Sequence, residues 1–148
     1  EHYGDYIDAA TVLLYSAWAC ACAAWPAAAR KCRLRTVDML WKAKESGQMS
    51  HDAPGDTETL TTELLRRAGE FGKAMDMIHT HQHEFTDKTI QRIIDFETKL
   101  IHAGDSGYHT IEEVFGEMDD PQDEEEPEDP GETHFSQTRE KRWWQFWR

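Results

Sequence analysis

From Ala9 to Ala29 the chain carries no charged residue, and Arg30-Lys31-Cys32-Arg33-Leu34-Arg35 follows at once. An uncharged run of about 20 residues is long enough to cross a ~30 Å hydrocarbon core as a helix. Glu1, Asp5 and Asp8 flank it on one side and the basic cluster on the other, the charge asymmetry that orients single-pass proteins. The run is rich in alanine. Val12, Leu13 and Leu14 are its strong contributors, together roughly -1 to -1.5 kcal/mol on an insertion scale. Tyr3, Tyr6, Trp18 and Trp25 put aromatics near both ends, where interfacial belts lie. The expectation is a transmembrane helix within residues 1–29.

Small residues recur in this run at every fourth position, as in Ala17/Ala21, Cys20/Ala24/Ala28 and Ala19/Ala23/Ala27. Such faces let helix backbones approach closely in lipid, so Ala17, Ala21, Ala24 and Ala28 are the candidate contacts to neighbouring subunits. Pro26 marks a kink or the first turn of a second helix, because it lacks the backbone donor that a helix interior needs.

Residues 30–46 read as a basic juxtamembrane amphipathic helix. Leu34, Val37, Leu40 and Trp41 recur at helical spacing among Arg33, Arg35, Lys42 and Lys44, a pattern suited to a membrane surface. Arg30, Lys31, Arg33 and Arg35 are the candidate membrane flank. Gly47 to Asp56 is a loop by composition.

Residues 57–118 read as a small soluble helical domain. Asp56 or Thr57 is placed to cap a helix whose apolar positions run Leu64, Ala68, Phe71, Met75, Ile78, Gln82, Phe85, in alternating steps of four and three. Asp87 caps the next helix, with Ile90, Ile93, Ile94, Leu100 and Ile101 on one face and Gly104 at its end. Thr110-Ile111-Glu112-Glu113 is a capping-box pattern leading into Val114, Phe115 and Met118. The fold class expected is therefore all-α: a single N-terminal transmembrane helix, a small helical hairpin domain, and an extended acidic and aromatic C-terminal tail over residues 119–148.

Charge sharpens the last of these. The formal net charge is -13 over 148 residues, and it concentrates at 117–132, a composition that stays disordered when free. Beyond it, Trp143, Trp144, Phe146, Trp147 and Arg148 group large aromatics with cations, as binding hot spots do. Nucleic acid is excluded as a partner, since the two basic patches are short and one adjoins the acidic run. Cys20, Cys22 and Cys32 form neither a zinc pattern nor a disulfide framework. The chain opens on Glu1, which fits removal of a targeting segment or a fragment.

The chemistry-bearing motifs are few. His79 and His83 would lie one turn apart on a helix, a spacing that can bind zinc or copper, with His81 and Glu84 adjacent. No phosphate loop or nucleophile elbow occurs, and no cofactor is implied. The expected function is a non-catalytic, single-pass accessory subunit of a large membrane complex. Its partners are other subunits and the lipid bilayer. Its site is an energy-transducing membrane, the mitochondrial inner membrane first and a bacterial or plastid membrane second, with the C-terminal part on the positive-inside face. The alternatives are a membrane-tethered histidine-cluster metal-binding protein and a soluble helical adaptor.

Overall fold

The computed structural model describes residues 5–49 and 53–116. Regular structure there is helical throughout: α1 (Tyr6–Cys22), α2 (Pro26–Glu45), α3 (Asp56–Arg67), α4 (Phe71–His81), a 3-10 turn (Gln82–Glu84), α5 (Lys88–His102) and α6 (Ile111–Phe115). Helices α1 to α5 belong to one compact unit ending at Tyr108, and α6 belongs to a second that starts at His109.

The expected transmembrane helix is not there. Among the described residues no helix is long and apolar enough to cross a membrane. The uncharged run is divided between two helices. Ala24 adopts a left-handed φ of 57°; its N–H donates to Ala21 O at 3.1 Å, and that of Trp25 donates to Cys20 O at 2.8 Å. These two bonds close α1 in a Schellman turn. The 17 residues of α1 rise about 25 Å at 1.5 Å per residue, short of a hydrocarbon core. Pro26 then opens α2 at a first-turn position, where its missing donor costs nothing.

Helix α2 runs back along α1. Gln48, just past the end of α2, accepts from Tyr6 N at the start of α1 at 3.0 Å. The seam between them is built from small buried residues two turns apart: Ala10 and Ala17 on α1, and Ala29, Thr36 and Ala43 on α2. Of the small residues spaced by four in the uncharged run, Ala17 belongs to this seam.

Helix α3 is polar in sequence and yet buried from Asp56 to Arg66, packed against α2, α4 and α5. Two of its threonines ease this: Thr59 Oγ1 donates to Gly55 O at 2.6 Å and Thr62 Oγ1 to Glu58 O at 2.8 Å, so these two hydroxyls are satisfied inside the helix. The cap is Gly55 at φ 88°, without a side-chain bond, rather than Asp56 or Thr57. A Cβ on Gly55 would sit 2.8 Å from Glu84 O, so only glycine lets α3 start against the 3-10 turn.

The apolar row from Leu64 to Phe85 turns a corner instead of following one helix. Gly69 N donates to Arg66 O at 2.8 Å and Glu70 N to Leu65 O at 2.9 Å, which ends α3 and starts α4. Leu64, Ala68, Ile78 and Phe85 are nonetheless all buried, on both arms of the resulting hairpin. Leu65, Ile78, Phe85, Ile90, Ile94 and Ile101 form the main core. Asp87 caps α5 by accepting from Thr89 N at 2.8 Å and Ile90 N at 3.2 Å, and Gly104 closes it. The capping box at α6 is present, with Thr110 and Glu113 bonded reciprocally.

Candidate docking face and polar clusters

The outer side of α1 carries large apolar side chains, with Asp8 the charge among them at its first turn. On α1 Val12 and Trp18 are 65% and 64% exposed, and Ile7 and Tyr15 are exposed as well; Trp25, 64% exposed, follows in the turn before α2. Of the exposed large hydrophobic residues among the described residues, only Tyr108 lies away from α1 and the turn that follows it, and its ring meets the Arg67 guanidinium at 5.2 Å. The hydroxyls on α1 do little to wet this surface. Thr11 Oγ1 donates to Ile7 O at 2.9 Å and Ser16 Oγ to Val12 O at 2.8 Å, so both turn onto their own helix. Several large apolar side chains gathered on one side are what an interaction surface presents.

The small residues expected to contact other subunits divide. Ala17 is buried against α2, Ala28 is half-buried, and Ala21 and Ala24 are exposed. The basic cluster divides too. Arg30 Nε donates to Ala68 O at 3.0 Å and Arg33 Nη1 to Arg67 O at 3.0 Å, while Arg30 also pairs with Glu70. Two of the four expected membrane-flank cations thus cap the carbonyl end of α3, where the helix dipole favours positive charge. Lys31 and Arg35 face outward. Arg30, Arg33 and Arg67 line a cleft of about 550 Å³ with Ala21, Ala24 and Ala29. Burial, then Arg67, holds the Arg33 guanidinium below its ordinary pKa.

His79 and His83 do not share a helix face. Helix α4 ends at His81 and the chain tightens into the 3-10 turn, leaving His79 and His83 exposed. His81 is the one drawn inward. Its ring lies 5.3 Å from that of Trp41 and 6.2 Å from that of His83. A nitrogen of His81 and carboxylate oxygens of Glu58 and Glu84 all lie within 4.8 Å of one another. Glu58 is buried and pairs with Lys44, whose Nζ also sits 5.5 Å from the Trp41 ring centroid.

A second polar cluster lies deeper. Arg66 Nε donates to Glu97 Oε2 at 2.6 Å, and its Nη1 donates to Asp105 O at 2.8 Å and Gly107 O at 2.9 Å. Nearby, burial pushes the Glu63 carboxyl up to about 8; Glu97 adds to this, and Arg67 and Arg66 oppose it. One signal for this cluster is visible in the chain: Glu97 falls in the same row of α5 as Ile90, Ile93, Ile94 and Ile101, the row that faces the core.

The tail residues Trp143, Trp144, Phe146, Trp147 and Arg148 lie outside the described residues. No family model, curated protein or solved structure matches this chain.

Proposed function

We propose that this chain is a non-catalytic accessory subunit of a multiprotein assembly, docked through the outer face of α1. The observation that carries the reading is the exposure of Ile7, Val12, Tyr15 and Trp18 on α1, with Trp25 exposed in the turn that follows and Asp8 the one charge on that side of the helix. Its partner is a neighbouring subunit that presents an apolar helical surface. From Ala9 to Ala29 there is no charge to answer one on the partner, and large aromatics are the side chains on which interfaces most often turn. The host expected is an assembly at an energy-transducing membrane, met by the described helices through protein contacts.

Native-gel separation of gently solubilised cells, followed by mass spectrometry, tests this. The wild-type chain is expected to migrate with a large assembly, and the double substitution Tyr15→Glu, Trp18→Glu to migrate alone while keeping its helical circular dichroism. A wild-type chain that runs only as a small species would sink the proposal.

A further inference from the structure

We infer that Glu58, His81 and Glu84 form a site for a divalent transition metal, with zinc as the natural occupant. The three ligands come from separate elements: the first turn of α3, the last residue of α4 and the 3-10 turn. Their donor atoms already converge to within 4.8 Å of one another. Tetrahedral zinc with bonds of about 2.0–2.1 Å sets its ligands about 3.4 Å apart, so the three must draw in by about an ångström. His81 and Glu84 are partly exposed and have the torsional freedom to do so. Glu58 is the fixed member, buried in the first turn of α3.

The donor set suits the ion. One imidazole and two carboxylates leave at least one coordination position for water, a combination that zinc accepts. Bringing two carboxylates this close is unfavourable unless positive charge lies between or beside them. Lys44 supplies part of that charge now, through its pair with Glu58. It is partly exposed, on a flexible stem, and can withdraw into water when a metal enters. Ammonium and metal therefore compete for the same carboxylate. A bound ion would join the start of α3 to the end of α4, which so far meet through the close approach of Gly55 to Glu84. This inference does not depend on the docking face.

The test is titration of the intact chain with Co²⁺ as a spectroscopic stand-in for Zn²⁺. The expected result is a visible d–d absorption that saturates at one Co²⁺ per chain and is displaced by Zn²⁺, with Zn²⁺ raising the thermal midpoint. Co²⁺ also quenches Trp41, so Trp41→Phe reduces the fluorescence response without reducing the absorption. His81→Ala and Glu58→Gln each weaken binding by about 100-fold or more, at or beyond the upper end of what losing an outer-shell partner costs. Lys44→Gln tightens it several-fold, an effect that exposed chelating histidines would not show. Circular dichroism of each variant in chelator verifies that it folds. Binding that survives His81→Ala, or that is lost only in a His79→Ala, His83→Ala double variant, overturns the inference, as does the absence of saturable absorption.

Discussion

Arg66 and Glu97, 31 residues apart in the chain, meet as a buried ion pair with Nε and Oε2 2.6 Å apart. The Arg66 side chain is 1% exposed; its Nη2 also donates to Glu97 Oε1, and its Nη1 donates to two loop carbonyls after α5. One side chain thus ties α3 to α5 and to the loop that follows. Removing one partner of such a pair strands the other without solvent, at a cost of about 3–5 kcal/mol. Arg66→Ala is expected to destabilise the chain by that amount in urea denaturation. Replacing both partners together, as Arg66→Met with Glu97→Leu, should recover a large part of the loss, because no charge is then left buried.

Glu63 makes stability depend on pH. Its carboxyl holds a proton up to about pH 8 in the folded chain, against an ordinary value of 4.5. Between these values the folded state binds more protons than the unfolded state, so its contribution declines as pH rises. That contribution is full below about pH 4.5 and is lost as pH rises through about 8. Denaturation midpoints measured at intervals across this window are expected to fall with rising pH. Glu63→Gln, neutral throughout, should flatten that slope.

Ala24 occupies a backbone conformation that normally belongs to glycine. Its φ of 57° sits at the position after a helix where glycine is strongly preferred, and a Cβ there costs about 1–2 kcal/mol. Glycine also loses more freedom on folding, which offsets part of the gain. Ala24→Gly is expected to stabilise by about 0.5–1 kcal/mol, and Ala24→Val to destabilise, since a β-branched residue tolerates positive φ poorly. Thermal melts of the two variants should move in opposite directions from wild type.

The α1–α2 seam has little spare room. Ala43 is 0% exposed and Ala29 1%, so a larger side chain at either must push the helices apart. Ala43→Leu is expected to cost about 1–3 kcal/mol by overpacking. Ala27→Leu, on the exposed side of the same helix, should stay within about 0.5 kcal/mol of wild type. Chemical denaturation of the pair distinguishes a packed seam from a loose one.

Local chemistry was legible in the chain and long-range chemistry was not. Asp87, Gly104, Pro26 and the Thr110–Glu113 box act on backbone groups within a few residues, and each marks its helix end as expected. The break at Ala24 was hidden because an alanine fills a glycine position. The turn at Gly69 was masked because apolar spacing keeps its phase from Ala68 to Phe71 across the corner. Hydropathy also cannot distinguish a surface meant for lipid from one meant for protein, so an uncharged run with a basic flank read as a membrane span. Ala10 and Ala17 of that run are buried on α1, its last residues open α2, and two of the flanking arginines close α3. For the histidines, one-turn spacing assumed a helix running past His81. Glu58, more than 20 residues upstream, had no sequence link to them until α3 and α4 packed together.

The small seam residues let α1 and α2 lie close, and α1 packs principally on α2 alone. Helix α3 is held from three directions and carries charges that have no solvent to return to. Opening α1 therefore requires giving up one long interface, with α2, whereas opening α3 breaks its packing on α2, α4 and α5 at once. In amide hydrogen exchange this becomes a gradient, with α1 exchanging through local detachment and α3 only through global unfolding. The helix that carries the docking face is also one that packs on a single neighbour, so a partner that displaces α1 from α2 leaves the contacts of α3, α4 and α5 in place.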